Sequence, residues 1–177
     1  GVLPEAARDA AGSPSFAVFA MQDPGSAEEP GTPLREIQIV KGWLEGGRLR
    51  ERVVTVAAAD REGTVDPKTC ATAGAGAAGL CRVWRDPEFD PSEPAFYYAR
   101  VLENPTCRWS QRICVERGVD CSRPEGVPPG LAPCCDPRHR PVVQERAWTS
   151  PIWYAPDAPP DSGRTTRATD PGAAGGE

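Results

Sequence analysis

The sequence has little of what most active sites are built from. It contains one histidine, His139, and one methionine among 177 residues. It has no G-x-S-x-G nucleophile motif, no H-E-x-x-H zinc motif and no G-x-x-x-x-G-K-[ST] phosphate loop. No nucleophile paired with a base can be assembled from such motifs. We therefore predict no catalytic residue in this chain.

Lysine is also scarce, because Lys41 and Lys68 are the only lysines among 20 basic residues. The formal net charge of −5 argues against a nucleic-acid platform, which is normally basic. We expect no nucleic-acid partner. The arginine bias suits planar recognition of carboxylate or phosphate. It equally suits the amino-acid usage of a high-GC genome, which the abundance of Ala, Gly and Pro favours.

Long apolar runs are missing as well. No run approaches the roughly 18–20 residues that cross a membrane, so no membrane span is expected. Residues 155–177 offer only alanine-sized apolar groups, which cannot offset the entropy of ordering that segment. We predict a disordered tail over 155–177. Residues 1–14 have only Val2 and Leu3 to pack, and we predict a linker from an upstream domain.

What the chain does contain is β-strand patterning. Ser15–Met21 is apolar on both alternating faces, which predicts that both faces are covered. Leu80–Arg85 is a second candidate strand. Phe96–Leu102 is aromatic and apolar on both faces apart from Arg100, as expected near the middle of a sheet. Glu145–Tyr154 is the last candidate, and Pro151 within it marks an edge strand or a bulge.

The clearest local signal is a hairpin. Leu34–Trp43 and Arg48–Ala57 flank Gly46-Gly47, a pair that suits a two-residue turn with positive φ angles. Counting outwards from that turn predicts a cross-strand register. The predicted pairs are Glu45 with Arg48, Trp43 with Arg50, Lys41 with Arg52, Ile39 with Val54, and Ile37 with Val56. This register collects the β-branched residues on one face. It also places the positive charges of Lys41 and Arg52 side by side, which lowers the stability of the hairpin slightly.

Six strands without a helical period predict an all-β fold, an antiparallel β-sandwich-like domain over residues 15–154. Alternation along the last strand predicts that one face carries Arg146, Trp148, Ser150, Ile152 and Tyr154. A polar loop over residues 103–144 separates that strand from the one before it. The loop has too few large apolar side chains to order itself by burial.

Cysteines are the expected remedy for that loop. Five of the seven cysteines fall within it, and the set consists of Cys70, Cys81, Cys107, Cys114, Cys121, Cys134 and Cys135. We predict disulfides, which indicate an oxidising compartment and hence a periplasmic or secreted protein. A Cys70–Cys81 bridge would close the glycine-rich loop between them. Cys134 and Cys135 should bond to different partners. The odd number leaves one thiol free, or bonded elsewhere in a longer parent.

Two groups of residues could each form a metal site, and each also has a simpler interpretation. Cys134, Cys135 and His139 could hold zinc, but the chain lacks the second closely spaced pair of ligands that zinc sites use, and the spacing favours disulfides. The turn Trp84–Pro91 carries Asp86, Glu88 and Asp90, whose carboxylates would suit calcium. It lacks the glycine and glutamate of an EF-hand loop, so solvated turn acids are favoured. We predict no metal or other cofactor in this segment.

Polar residues around the ends of the last two long strands are the candidate binding residues. They are Arg100, Glu103, Asn104, Arg108, Arg146 and Trp148. One interpretation gathers the three arginines into a fork-shaped anion site. The other, which we favour, pairs them internally with Glu103 and Glu145.

Four strings in the sequence resemble a known family. PLREIQIVKGW, VWRDPEFDP, FYYARVLENPTCRWS and QERAWTSPIWY are similar, in this order, to the C-terminal end of bacterial domain-of-unknown-function family 3604, over residues 1–154. Members of that family look like relatives of PHP-type metal-dependent phosphoesterases of the amidohydrolase-like group, often with export signals. The resemblance implies a catalytic barrel upstream that carries the metal-binding His and Asp residues and a divalent metal.

For this segment the resemblance implies a non-catalytic β module, with the upstream catalytic domain of the same chain as its partner. The alternative is a stand-alone extracellular binding or structural domain, with a ligand platform formed by Trp43, Trp84 or Trp109. A redox role for the unpaired thiol is a weaker third hypothesis, since the chain has no C-x-x-C motif.

Overall fold

The structure, a computed structural model, describes residues 12–156. The strands are β1 (Ser15–Met21), β2 (Leu34–Glu45), β3 (Arg48–Ala58), β4 (Thr64–Val65), β5 (Thr72–Ala73), β6 (Gly79–Arg85), β7 (Ala95–Glu103), β8 (Thr106–Cys107), β9 (Val142–Val143), β10 (Arg146–Trp148) and β11 (Ile152–Tyr154). A helix, α1 (Trp109–Glu116), and 3-10 turns at Pro124–Gly126 and Pro129–Cys135 lie between β8 and β9. The predicted all-β, antiparallel, sandwich-like fold is confirmed.

Two antiparallel layers enclose the core. The larger layer has the order β10, β7, β2, β3, with β11 also paired to β7, and the smaller layer is the ribbon of β1 and β6. Phe16 of the ribbon meets Tyr97 of β7 with ring centroids 4.6 Å apart, and Trp84 packs against the same cluster. The core therefore lies between the ribbon and one face of the larger sheet. β7 is central in that sheet, as its apolar pattern predicts.

The hairpin of β2 and β3 follows the predicted register over most of its length. Both turn glycines have positive φ angles, 56° and 77°, and the predicted pairs hold from the turn as far as Ile39 and Val54. The next pair is wrong, because Ile37 lies opposite Ala57 and not Val56. A bulge here adds one residue to β3, and simple alternation along the sequence does not reveal such an insertion.

The paired cations of this hairpin are neutralised by the Asp-Pro turn after β6. Lys41 Nζ lies 2.6 Å from Asp86 Oδ2, and the Tyr97 hydroxyl donates to the same carboxylate oxygen at 2.7 Å. Glu88 forms an ion pair with Arg52, the residue opposite Lys41. Asp86 is buried. It is therefore neither a calcium ligand nor a solvated turn acid but an internal counter-ion.

Three disulfides brace the region after β7. Their Cα atoms lie 5.4–5.8 Å apart, and they join Cys70 with Cys107, Cys114 with Cys134, and Cys121 with Cys135. The two adjacent cysteines therefore have different partners, as predicted. Their sulfurs are both consumed, which overturns the zinc alternative with His139.

The predicted Cys70–Cys81 bridge is wrong. Cys81 is a free, exposed thiol on β6. Cys70 follows a turn that Asp66 stabilises and has a positive φ of 58°, while its sulfur bonds to Cys107 on β8. The sequence distance between cysteines was therefore a poor guide, because β4 lies beside β8 in space.

The helix α1 was not predicted from the sequence. It has eight residues, no side-chain cap at its first turn, and one buried side chain, Cys114. So short a helix is not stable by propensity alone. The Cys114–Cys134 disulfide ties it to the second 3-10 turn, which supplies the stabilisation that the local sequence lacks.

The predicted linker over 1–14 lies outside the described residues except for its last three. Within these, Pro14 is fully buried, and Ser13 Oγ donates to the Asp86 carbonyl at 2.6 Å. The predicted tail over 155–177 lies outside the described residues beyond position 156. In the part of the chain that the structure describes, none of the helices has the length and apolar character to cross a membrane.

Candidate functional site

The edge of the larger sheet is broken into β10 and β11, and this break decides which side chains share a face. Trp148 lies opposite Arg100 of β7, and Trp153 lies opposite Phe96. Between these pairs the edge uses residues 149–152, where β7 uses only residues 97–99. The edge therefore has one residue more than β7 at this point. The side chains after the extra residue point to the opposite face from the one that simple alternation predicts.

This extra residue places two tryptophans on the same face of the sheet. Trp148 and Trp153 lie on the outer face of the sheet, whereas Ile152 and Tyr154 point towards the core. The prediction that Trp148 shares a face with Ile152 and Tyr154 is therefore wrong. The prediction that Pro151 marks an edge strand or a bulge is confirmed, since it lies within the break.

We call the outer face of the five-stranded sheet the aromatic face, defined by Phe96, Tyr98, Arg100, Trp148 and Trp153. Phe96 and Tyr98 are nearly parallel, at 7°, with centroids 6.4 Å apart, and Phe96 lies 5.2 Å from Trp153. Trp148 and Trp153 remain 59% and 53% exposed. Half-exposed tryptophans next to packed rings present a flat apolar surface suited to stacking.

A glycine fixes the centre of this face. Gly42 of β2 lies opposite Phe96, and a Cβ atom on Gly42 would come within 2.2 Å of the Phe96 ring. The ring therefore packs directly on the sheet backbone, a position that only glycine allows. Phe96 is in turn the ring against which Tyr98 and Trp153 are placed.

A polar strip borders the rings. Arg100 Nε donates to Gln38 Oε1 at 2.7 Å, with a second guanidinium nitrogen on the same oxygen. Gln38 Nε2 donates to Glu36 Oε1 at 2.7 Å. Arg146, opposite Leu102, is exposed beyond this strip. The strip offers hydrogen bonds and charge beside the aromatic surface.

Glu103 does not have the electrostatics of a carboxylate paired with arginine. Burial, followed by the negative charges of Glu145 and Asp23, raises its pKa, with a hydrogen bond from Thr32 opposing the shift. A neighbouring arginine would lower the pKa. The favoured interpretation, internal ion pairs between the arginines and Glu103 and Glu145, therefore does not describe Glu103.

Asn104 is a structural clamp. Its Oδ1 accepts a hydrogen bond from Gly63 N at 3.0 Å, and its Nδ2 donates to the Ala75 carbonyl at 3.4 Å. A Cβ atom on Gly63 or Gly76 would come within 2.4 Å of Asn104 Nδ2. The absence of a side chain at these two glycines therefore makes room for Asn104.

Arg108 lies apart from the other candidate residues. It is exposed, immediately precedes α1, and its backbone N donates to the Pro141 carbonyl at 2.9 Å. The predicted set therefore divides between three places: Arg100, Arg146 and Trp148 on the aromatic face, Glu103 and Asn104 at the end of β7, and Arg108 in the disulfide-braced region.

One known protein family matches this chain. The family described as "Protein of unknown function (DUF3604)" matches residues 1–156. The chain belongs to the DUF3604 family. No curated protein and no solved structure matches this chain. The resemblance seen in the four sequence strings is thus confirmed at the level of the family.

Two open clefts flank α1 in this DUF3604 chain. One, of about 770 Å³, runs from the glycine-rich loop past Asn104 to Arg112. The other, of about 830 Å³, is lined by the disulfides, Lys68 and His139, whose Nε2 lies 2.8 Å from Gln111 Oε1. Between residues 12 and 156, no group of three or more His, Cys, Asp or Glu side chains is arranged to hold a metal ion.

Sequence reasoning missed three of the five residues that define the aromatic face. Trp153, Phe96 and Tyr98 were assigned to strands but not to a site, and Gln38 was not singled out. The usable signal was Pro151 inside an otherwise continuous strand pattern, because a bulge there changes the face of every following residue. Trp43 and Trp84, proposed as platform residues, pack against the core instead, whereas Trp109 is 76% exposed.

Proposed function

We propose that this DUF3604 chain is a non-catalytic β module of an exported, metal-dependent hydrolase whose active site lies in an upstream domain, and that the aromatic face is its binding surface. The observation that carries the proposal is the joint placement of Trp148 and Trp153, half exposed, beside the packed rings of β7. Aromatic side chains dominate binding energy where they form the centre of an interface.

The chemistry of the described residues supports a binding role. Three buried ionisable groups hold the two layers together, because Lys41 and Tyr97 of the larger sheet both donate hydrogen bonds to the Asp86 carboxylate. Burial, and then donation to Asp86, raises the pKa of Tyr97, so this hydroxyl stays protonated. Three disulfides support export, since such bonds persist in oxidising compartments.

The first test concerns the parent gene. Translation of the region upstream of Gly1 is expected to give an H-x-H-type metal motif followed by a barrel-forming sequence. A reading frame that starts close to the codon of Gly1 would contradict the hydrolase part of the proposal.

The second test concerns the aromatic face. In the full-length protein, Trp148→Ala combined with Trp153→Ala is expected to raise KM by at least about thirtyfold, with kcat little changed, since a single hot-spot side chain contributes about 2 kcal/mol or more. Trp109→Ala is the matched control, because Trp109 is the more exposed residue and lies on α1. Equal effects of both changes would exclude the aromatic face.

The alternative is a stand-alone extracellular binding domain. It is favoured by the closed core cluster around Phe16, Ile39 and Tyr97, which needs no further domain to bury it. Under this alternative, the chain itself binds an extracellular glycan through Trp148 and Trp153 without added metal. Isothermal titration of the chain with polysaccharide fragments, before and after dialysis against a chelator, separates the two functions.

A further inference from the structure

The outer side of the ribbon is an uncovered apolar surface. We call it the ribbon face, defined by Ala17, Phe19 and Met21 of β1 and Gly79, Cys81 and Val83 of β6. Phe19, Met21 and Val83 are 67%, 68% and 69% exposed. The sequence pattern of β1 predicts cover on both faces, but the described chain covers only the face that carries Phe16. Large exposed apolar surfaces of this kind mark interaction sites.

Side-chain size along the ribbon face follows a simple rule. The cross-strand pairs are Ala17 with Val83, Phe19 with Cys81, and Met21 with Gly79. Every pair joins one large side chain to one small one. The two largest side chains, Phe19 and Met21, stand on β1, and their smaller cross-strand partners, Cys81 and Gly79, stand on β6.

This arrangement is self-complementary about a two-fold axis that runs parallel to the strands. Such an axis places β1 of one copy above β6 of the other while keeping each pair at the same level. Phe19 of each copy then lies over Cys81 of the other, and Met21 lies over Gly79. Two sheets packed face to face are about 10 Å apart, a distance that interdigitating side chains fill. Symmetric contacts of this type are the commonest in homo-oligomers.

We propose that the ribbon face binds the ribbon face of a second copy of this chain, so that two β1–β6 ribbons stack face to face. The proposal goes beyond the function proposed above, since it concerns the opposite side of the domain from the aromatic face. It does not require a disulfide between the copies, because the two-fold axis sets each Cys81 against Phe19 rather than against its own counterpart.

The decisive variant is Gly79→Leu. A Cβ atom on Gly79 has only the Ala20 carbonyl oxygen nearby, at 3.6 Å, so the monomer accepts a side chain there. The new leucine fills the space that Met21 of the other copy needs. Sedimentation equilibrium over a wide concentration series is expected to show a dimer for the wild-type chain and a monomer for Gly79→Leu. A surface that is merely apolar would instead associate more strongly with leucine added.

Two further variants complete the test. Phe19→Asp is expected to abolish the dimer, whereas Leu49→Asp is expected to leave it unchanged, because Leu49 is also 67% exposed but lies on β3. Cys81→Ala keeps the residue small and is expected to keep the dimer. In the wild-type dimer, the Cys81 thiol should react more slowly with a maleimide than it does in Gly79→Leu.

Several outcomes would overturn the proposal. These are a monomeric wild-type chain with a freely reactive Cys81, a dimer that survives Gly79→Leu, and a dimer that disappears with Cys81→Ala. A longer parent protein that is monomeric, yet protects Cys81, would also overturn it by showing that another domain covers the ribbon face.

Discussion

Lys41 and Asp86, 45 positions apart in the sequence, form a buried ion pair with Nζ and Oδ2 separated by 2.6 Å. The pair joins the central strand β2 to the turn that leaves the ribbon. Asp86 also accepts a hydrogen bond from Tyr97, and its backbone meets Ser13 and Pro14. Asp86 therefore connects both layers through its carboxylate and the residues just before β1 through its backbone.

Removing one member of this pair should be costly. Lys41→Met leaves the Asp86 carboxylate buried without its cation, a change that costs about 3–5 kcal/mol in comparable cases. Urea denaturation of the chain measures the free energy of unfolding. Arg50→Met is the control, since Arg50 forms an exposed ion pair with Glu45, and its loss should cost less than about 1 kcal/mol. Equal losses would show that the buried pair has no special weight.

The contact between Phe96 and Gly42 yields a second prediction. Gly42→Ala forces the Phe96 ring away from the backbone, and we expect a loss of about 1–3 kcal/mol in the free energy of unfolding, typical of overpacking. Gly79→Ala is the control, because its Cβ atom makes only an ordinary contact. Combining Gly42→Ala with Phe96→Ala should cost less than the sum of the two single changes. Additive losses would contradict direct packing.

Asn104 should act through the glycine-rich loop. Asn104→Ala leaves the buried N–H of Gly63 without its acceptor, which we expect to cost about 1–3 kcal/mol. Amide hydrogen exchange should accelerate most at residues 61–77. Gln38→Ala is a control outside that loop, because the Gln38 side chain bonds only to Glu36 and Arg100 among the described contacts. Unchanged protection of the Gly63 amide in Asn104→Ala would refute the clamp.

The disulfide pattern can be checked by peptide mapping without reduction. Two disulfide-linked species and one alkylated thiol, Cys81, are expected: one species joins the Cys70 and Cys107 peptides, and the other joins the Cys114 and Cys121 peptides to the peptide that holds both Cys134 and Cys135. Replacing Cys70 and Cys107 together by serine should cost about 2–4 kcal/mol, because the bond closes a long loop. Cys81→Ser should change the free energy of unfolding by less than about 0.5 kcal/mol. A cystine that contains Cys81 would contradict the structure.

The raised pKa of Glu103 predicts a pH dependence. The folded state holds this proton more tightly than the unfolded state. The free energy of unfolding therefore falls as the pH rises from about 4.5, the ordinary pKa of this carboxyl, through its raised pKa. Glu103→Gln imitates the protonated form. Its melting temperature should exceed that of the wild type at neutral pH, and the difference should vanish as the pH falls below 4.5. A difference that is constant with pH would exclude titration of Glu103 as the cause.

Local patterns carried enough information to predict much of the larger sheet. The hairpin register follows from two glycines and the spacing of Ile39 and Val54, and the central position of β7 follows from its two apolar faces. These features depend on residues close together in the sequence. The turn acid Asp86 was misinterpreted because its partners, Lys41 and Tyr97, come from other strands.

The parts that sequence could not predict depend on single-residue insertions or on distant contacts. A bulge near Ile37 and the extra residue beside Pro151 both change faces, yet neither alters composition or period. The cysteine partners depend on how the loops fold back, so the spacing between Cys70 and Cys81 was misleading. Most of the aromatic face was missed because Trp153 joins it only through the extra residue beside Pro151, which moves that side chain to the outer face.

The break at Pro151 has one more effect, which concerns solubility. An uninterrupted strand over residues 146–154 would leave a long row of unpaired N–H and C=O groups along the sheet margin, open to strands of other molecules. Short margins with a proline and a bulge resist such edge-to-edge growth into fibrils. The kink that places two tryptophans on one face thus also gives the sheet an edge to which a strand of another molecule is hard to add.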